Sequence, residues 1–223
     1  MTLAIPANTL IPPKSPSLPV GPLEYDQRYQ DQLLNVLRLY FNTLDNTFGS
    51  LLGVGGGGGK FIRSPYGAFQ SGVDQTATAN TATIMTFNVT DYSNDVSLGT
   101  VTVPSTSKIT VAQAGIYNLQ WSGQFENADT QLHDASVWIR VNGADVVGSN
   151  SITSVPNKHG GINGHTIAAW NYFVQLNAGD YVQLMWSTDD VQVSLQYYAA
   201  GTSPTRPTTA SVIATLTFVS ALP

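Results

Sequence analysis

Cysteine and charged residues are what this sequence lacks most. It contains no cysteine, which excludes disulfide bonds and thiolate metal sites. Asp, Glu, Lys and Arg make up 10% of its 223 residues, whereas an average soluble domain has about 25%. Nine basic and fourteen acidic residues give a formal net charge of −5, so the chain has no electrostatic basis for binding nucleic acid.

Long apolar runs are also missing. No stretch of about 20 apolar residues occurs, so no membrane-spanning helix is expected. Pro6, Pro12 and Pro13 interrupt the first residues, and we therefore predict no secretory signal. Apolar residues nevertheless make up 42% of the chain. This composition excludes a disordered polyelectrolyte and predicts one packed domain with additional segments. Without disulfides, its stability must come from packing or oligomerisation.

Residues 1–22 contain six of the twelve prolines. Proline fixes φ and removes a backbone donor, so this segment is predicted to be an extended, polyproline-like arm. Apolar residues recur along it, including Leu3, Ile5, Leu10 and Ile11. Two interpretations stay open: a disordered tail, or an anchoring arm that becomes ordered when these side chains are buried against a partner.

Residues 23–48 have the apolar spacing of a helix with a broad apolar face. Acidic residues early in the segment would suit the positive end of the helix dipole. Such a face must be covered, either by self-association in a small helical bundle or by docking on another protein. The residues that form two adjacent seams on this face are Tyr29, Leu33, Leu34, Val36, Leu37, Tyr40, Phe41, Leu44 and Phe48.

Residues 49–66 are predicted to form a glycine-rich hinge that contains five consecutive glycines. The pair Gly59-Lys60 invites comparison with a phosphate-binding loop. That motif needs a glycine five residues before Gly59 and a Ser or Thr after the lysine, but Val54 and Phe61 occupy these positions. We therefore predict a flexible connection between an N-terminal mount and a C-terminal head.

Residues 67–223 are predicted to be all β. In residues 116–125, Tyr117, Leu119 and Trp121 alternate with polar residues, which is typical of a half-buried strand. About eight to ten such strands with polar turns imply a two-sheet sandwich or barrel. Further strands are predicted at 83–89, 100–103, 109–112, 137–141, 168–176, 182–186, 191–197 and 212–218, with a tight hairpin turn at Asn142-Gly143 and a long polar loop at 150–166.

The β region resembles the globular head of the C1q/TNF superfamily, over about residues 68–220. Three motifs occur in the order of that family: residues 109–117 (ITVAQAGIY), 137–143 (VWIRVNG) and 176–182 (LNAGDYV). The resemblance implies a ten-stranded antiparallel jelly-roll sandwich that forms trimers. The chain departs from the family in having no collagen Gly-X-Y repeat, and its acidic residues do not match the family's calcium site.

The front of the chain is similar to a short N-terminal module of structural proteins from tailed phages. The similarity lies in residues 24–26 (EYD), Tyr29, residues 32–34 (QLL) and residues 39–46 (LYFNTLDN). It implies attachment to a virion. An anchor, a helix, a hinge and a head in series is the plan of a virion fibre or decoration protein, and C1q-like trimeric heads also occur on such fibres.

Metal-binding patterns are weak in this sequence. His133, His159 and His165 lack the spacing of a two-histidine motif on a helix. His159 and His165 share the 150–166 loop, where they could form a surface metal pair. The expectation is nevertheless that the protein holds no metal and no cofactor.

Catalytic patterns are equally weak. Two carboxylates for glycoside hydrolysis could come from Asp189 and Asp190, or from Asp129 and Asp134. Aspartates in loops more often form turns, because the side chain bonds its own backbone. No G-x-S-x-G nucleophile motif is present, so we predict no catalytic residue and no enzymatic activity.

Aromatic residues are plentiful for a head with so few charges. In a trimer they would line the contacts between copies, since aromatic side chains dominate interface energies. The alternative is that they stack on the sugar rings of a cell-surface glycan. The residues considered for either surface are Trp138, Trp170, Tyr172, Tyr197 and Tyr198.

These features together favour a homotrimeric structural protein of a tailed-phage virion, assembled in the host cytoplasm. Residues 1–48 would attach it to capsid or tail proteins, and the head would point outward. The short mount favours a capsid-surface fibre or decoration protein. The alternatives are a tail fibre that recognises a host surface glycan, a lectin-like protein outside any virus, and a polysaccharide depolymerase.

Overall fold

A computed structural model describes residues 14–52, 64–99 and 107–222. The chain divides into two units, one extending to Arg63 and the other from Ser64 to Leu222. Across the described residues, no helical segment combines the length and hydropathy that crossing a membrane requires. Leu3, Ile5, Leu10 and Ile11, the predicted anchoring residues of the arm, lie outside the described part of the chain.

Residues 14–52, the described part of the first unit, contain one helix, α1 (Gln27–Leu52). It begins after Asp26, whose Oδ1 accepts a hydrogen bond from the backbone N–H of Arg28 at 2.8 Å. Carboxylates in this position satisfy backbone donors that have no partner within the helix. Of the acidic residues expected in the first turns, Glu24 and Asp26 therefore precede the helix and Asp31 lies within it, after the first turn; Asp26 caps the helix. The helix also continues past residue 48, so it includes the first residues of the predicted hinge, while residues 53–63 lie outside the described part.

The second unit is built from antiparallel strands. Most of them follow the period-two alternation of buried and exposed residues that the sequence predicted. The strands are β1 (Tyr66–Ser71), β2 (Gln75–Thr76), β3 (Thr83–Ile84), β4 (Val89–Asn94), β5 (Val96–Gly99), β6 (Lys108–Val111), β7 (Gly115–Asn127), β8 (His133–Val141), β9 (Ala144–Asp145), β10 (Ser151–Val155), β11 (Gly164–Leu176), β12 (Tyr181–Thr188), β13 (Val193–Leu195), β14 (Gly201–Thr202), β15 (Thr205–Arg206) and β16 (Val212–Ser220).

Two sheets of seven strands form the unit, and a separate two-stranded sheet is made by β14 and β15. In the first sheet, which we call sheet 1, the order is β2-β13-β7-β16-β1-β4, and β11 pairs with the other side of β7. In sheet 2 the order is β10-β8-β12-β6-β5, with β9 on β8 and β3 on β12. The prediction of a mainly β sandwich with one helix is confirmed.

The core lies between the two sheets. Tyr117, Leu119 and Phe125 of β7 are fully buried, as their alternation predicted. Phe125 meets Trp186 of β12 edge to face, with ring centroids 5.9 Å apart, so the two sheets contact each other directly. Burying one large apolar side chain contributes about 1.5–3 kcal/mol to stability, and the buried residues of both sheets form a continuous cluster.

Three predictions about the strands are wrong in extent. Of the strand expected at 83–89, Thr83–Ile84 forms β3, and Val89 begins β4. The predicted 150–166 loop contains strand β10, which pairs with β8 along its whole length. The last residues of the predicted loop, from Gly164, are the first residues of β11. Serine and threonine dominate β10, so the strand lacks the apolar alternation that marks the others. Of the strand expected at 191–197, only Val193–Leu195 forms. The strand expected at 100–103 lies outside the described residues.

Candidate assembly surface

The central strands of sheet 1 present an outer face without charge. In β11, β7 and β16, alternate side chains point into the core and the others point outward. We call the outward set, without Glu126 and His165 at one end of β7 and β11, the uncharged face. It consists of Ile116, Asn118, Gln120, Ser122, Gln124, Ile167, Ala169, Asn171, Phe173, Gln175, Ile213, Thr215, Thr217 and Val219.

Strand register arranges these side chains in rows across the three strands. Asn171 of β11 lies opposite Gln120 of β7, which lies opposite Thr215 of β16. The neighbouring row contains Ala169, Ser122 and Ile213 in the same order. A shallow, open groove runs between these two rows. The small side chains in its floor leave space for a protruding side chain from another molecule.

Large apolar side chains stand beside this groove. Ile167 is 68% exposed and Phe173 is 65% exposed, both on β11. Ile213 and Val219 of β16 are also exposed. The rest of this face is mostly uncharged polar side chains. A surface that combines exposed apolar groups with uncharged polar ones is typical of a protein interface, because charged residues are depleted from interface cores.

The one charged residue within these three fully described strands is Glu126, at the end of β7. Its carboxylate accepts hydrogen bonds from the Tyr198 hydroxyl and, at 2.7 Å, from the Asn163 side chain. His165 Nδ1 lies 3.7 Å from Glu126 Oε2 and 3.1 Å from the Tyr198 hydroxyl oxygen. Burial, together with the neighbouring Glu126 carboxylate, raises the pKa of Tyr198. Glu126 is thus held in a polar cluster at the border of the uncharged face.

The outer side of sheet 2 contrasts with the uncharged face. Arg140 Nε donates to Asp145 Oδ1 at 2.7 Å, and the Trp138 indole N–H donates to the same oxygen at 2.9 Å. The side chain of Lys108 lies over the ring of Tyr181, 4.2 Å from its centroid. Charged and aromatic groups therefore mix on sheet 2 as they do on an ordinary solvent-exposed surface.

The five aromatic residues considered from the sequence do not share one surface. Trp170 and Tyr172 face the interior of the sandwich, where the Trp170 ring meets Trp121 edge to face at 4.7 Å. Trp138 is on the outer side of sheet 2, whereas Tyr197 and Tyr198 follow β13. Trp170 and Tyr172 therefore do not share a face with Trp138. In β11, both alternating sets of side chains include large apolar residues. The sequence pattern therefore does not indicate which set faces the core.

Helix α1 carries a second candidate surface. None of its described side chains is buried, and Leu34, Phe41 and Phe48 each remain more than half exposed. These three belong to the seam predicted from Leu34, Leu37, Phe41, Leu44 and Phe48. The other apolar residues of the two seams are partly buried: Tyr29, Leu33, Val36, Leu37, Tyr40 and Leu44. An apolar face of this width needs a cover, as the sequence indicated.

The histidines are placed differently from the predicted pair. His159 exchanges backbone hydrogen bonds with Ile162, while His165 contacts Tyr198. His133 instead lies between Asp129 and Asp189. The spacing of Asp129 and His133 was a weak signal of proximity, but nothing in the sequence indicated that Asp189 and Asp190 would lie beside them.

No protein-family model matches this chain, and no curated protein matches it in sequence.

Proposed function

We propose that this protein is a homotrimeric structural protein of a tailed-phage virion, whose heads associate through the uncharged face. The observation that carries the proposal is that the exposed side of β7, β11 and β16 carries one Asp, Glu, Lys or Arg, Glu126 at its border, combined with the exposed Ile167, Phe173 and Ile213. A face left in water has no reason to exclude every charged residue, whereas an interface core does.

The strand order also supports the proposal. Sheet 1 places β16, the last strand, between β1 and β7, and sheet 2 places β12 between β6 and β8. This arrangement is compatible with the jelly roll that the C1q/TNF resemblance implies, and heads of that family form trimers. Threefold symmetry gives every copy the same environment, so the uncharged face would be buried on all three copies, against a different patch of the neighbouring copy.

The N-terminal unit supports a role in attachment. Its helix spans 26 residues, about 39 Å at 1.5 Å per residue, and its exposed apolar seam could pack on symmetry mates or on a virion protein. A mount of this size favours a fibre or decoration protein on the capsid surface. No catalytic step is part of this proposal.

Matched charge substitutions test the assembly. Ile167 on the uncharged face and Ile152 on β10 are exposed to 68% and 66%, and both lie on strands. Ile167→Asp should convert the trimer to monomer in sedimentation at micromolar concentration, because a buried, unpaired carboxylate opposes association. Ile152→Asp should stay trimeric. A monomeric wild-type protein, or a trimeric Ile167→Asp variant, would contradict the proposed interface.

Attachment is tested on particles. A chain that lacks residues 1–48 should keep a folded, trimeric head and fail to join the virion. Electron microscopy with a labelled head should place the full chain on the capsid surface. Labelling of the tail would support the tail-fibre alternative, and incorporation of the truncated chain would contradict anchoring by residues 1–48.

One observation favours glycan recognition as a second candidate function. Trp138, Asp145, Asn150 and Ser187 line an open depression on the outer side of sheet 2, and an aromatic ring beside polar groups suits a sugar. If the protein is a receptor-binding tail fibre, it should bind a defined set of glycans on an array, and Trp138→Ala should abolish that binding without changing the trimer. Loss of binding only in Ile167→Asp would argue against this depression.

A further inference from the structure

We infer that Asp129, His133 and Asp190 bind one divalent transition-metal ion, such as Zn²⁺. Each of these residues offers one ligand atom, and the three atoms all lie within 4.8 Å of one another. Asp129 lies in the loop between β7 and β8, His133 begins β8, and Asp190 lies in the loop between β12 and β13. The site is therefore at one end of the sandwich, away from the outer face of sheet 1.

Two of the ligand atoms already have a suitable separation. His133 Nε2 lies 2.9 Å from Asp129 Oδ2. Zinc binds imidazole nitrogen and carboxylate oxygen at about 2.0–2.2 Å, so two ligands that meet at an angle between a right angle and a tetrahedral angle lie about 3–3.4 Å apart. An ion could replace the hydrogen bond that joins this pair, and the ligand atom of Asp190 lies within 4.8 Å of both atoms.

Asp189 lies beside the second ring nitrogen of the histidine. Its Oδ1 lies 3.2 Å from His133 Nδ1 and also accepts the backbone N–H of Asp134 at 3.2 Å. Metal-binding histidines commonly donate the second ring N–H to a carboxylate, which fixes the ring and directs the other nitrogen toward the ion. Here Nδ1 faces Asp189 and Nε2 faces Asp129, so a proton on Nδ1 would leave Nε2 free for an ion.

A buried asparagine holds the loop that carries Asp129. Asn127 is fully buried, and its side-chain nitrogen donates to the backbone oxygens of Gln131 at 2.8 Å and Val155 at 3.3 Å. Its side-chain oxygen accepts the backbone N–H of Asp129 at 2.8 Å. These contacts fix Asp129 relative to β8 and β10, which reduces the ordering needed when an ion binds.

The other ligands are also restrained. The side chain of His133 is only 13% exposed. Asp190 Oδ1 accepts the backbone N–H of Gln192 at 2.8 Å, and the hydroxyl of Thr188 donates to the backbone oxygen of Asp190 at 3.1 Å. One imidazole with two carboxylates suits Zn²⁺ and its neighbours in the first transition row, whereas Ca²⁺ and Mg²⁺ prefer oxygen ligands alone.

Titration of the full-length, chelator-treated protein tests the site. Isothermal calorimetry with Zn²⁺ should show one ion per chain and a higher Tm, and the same titration with Ca²⁺ should show at least tenfold weaker binding. His133→Gln and Asp190→Asn should each weaken Zn²⁺ binding at least tenfold. His159→Gln, which removes a histidine of another loop, should bind Zn²⁺ like the wild type.

Absence of Zn²⁺ binding by the wild type would overturn the proposal, as would full affinity in a folded His133→Gln protein. If His133→Gln does not fold, Asp190→Asn replaces it in this test, and full Zn²⁺ affinity in that variant would overturn the proposal. X-ray absorption at the zinc edge should show one imidazole nitrogen together with oxygen ligands. Two imidazole nitrogens at the ion would place it elsewhere and also overturn the proposal.

Discussion

Asn142 and Asp180 join two turns that are 38 residues apart in the sequence: the Asn142 side-chain nitrogen donates to Asp180 Oδ1 at 2.7 Å. Asn142 Oδ1 in turn accepts the backbone N–H of Tyr181 at 3.1 Å. Asn142 belongs to the hairpin turn between β8 and β9, and Asp180 to the turn between β11 and β12. Two of the three motifs behind the C1q/TNF resemblance are thus held together by their own side chains.

We expect Asp180→Asn to destabilise the head by about 1 kcal/mol. Asp180 Oδ1 accepts from the Asn142 side chain, and Oδ2 accepts from the backbone N–H of Asn177 at 2.7 Å. An amide has only one oxygen, so one of the two donors would face an N–H group. Chemical denaturation measures the change in the free energy of unfolding.

Asp91→Asn is the matched control for this substitution. Asp91 Oδ1 accepts one hydrogen bond, from the Gln70 side chain at 2.6 Å, and the oxygen of an asparagine can accept it equally well. Its stability should stay within about 0.5 kcal/mol of the wild type. Equal losses in the two variants would contradict the role given to Asp180.

The contribution of Asp180 should depend on pH. Its hydrogen bond from the backbone of Asn177 and, next, that from the side chain of Asn142 lower the pKa of Asp180 in the folded state. A carboxyl group whose pKa is lowered by folding stabilises the protein at pH values above its pKa in the unfolded chain, which is about 3.9. This stabilisation is lost as the pH falls through the pKa of the folded state. The stability difference between wild type and Asp180→Asn should be constant from pH 5 upward, at about its neutral value, and shrink below about pH 4. A difference that persists unchanged in acid would contradict this assignment.

Trp170 and Trp138, both considered as surface residues from the sequence, should contribute differently to the stability of the head. Trp170 packs on Trp121 inside the sandwich, so Trp170→Ala should lose about 3 kcal/mol of stability. Trp138 lies on the outer side of sheet 2 with its N–H on Asp145, and Trp138→Ala should lose about 1 kcal/mol or less. Thermal unfolding of the two variants compares them directly, and a larger loss for Trp138→Ala would reverse the inward and outward assignment.

Gly164 should not tolerate a larger residue. A Cβ at this position would lie 1.8 Å from the backbone oxygen of Pro156, and backbone atoms cannot move aside as a flexible side chain can. Gly164→Ala should therefore lower Tm clearly. At Gly72 the nearest atom to an added Cβ is 3.8 Å away, so Gly72→Ala should have nearly the wild-type Tm. Similar values for both variants would contradict the close approach at Gly164.

Local periodicity predicted much of the fold. The alternation in 116–125 predicted β7, and Asn142-Gly143 predicted a hairpin turn, which the structure shows with φ of 49° and 85° at these two residues. Strand β10 was missed because Ser151–Val155 is mostly polar and lies beside a single partner, β8. Its pairing is decided by backbone hydrogen bonds with a strand that precedes it, which no local pattern records.

The candidate sites were less predictable than the strands. The apolar seams of the helix follow from spacing alone. Asp190 and His133 are distant in sequence, and their proximity depends on the pairing of β8 with β12, which sets Thr188 opposite Ala135. The uncharged face likewise depends on β11 and β16 lying on opposite sides of β7.

The sequence by itself determined a mainly β head, an apolar helix before it and an overall shortage of charge, because these depend on composition and on patterns within a few residues. Tertiary structure alone decided where that shortage falls. Strand order and the phase of each strand place the uncharged halves of β7, β11 and β16 on one exposed surface, and they bring His133 among Asp129, Asp189 and Asp190. Both results come from contacts between residues far apart in the chain, which long-range strand pairing creates.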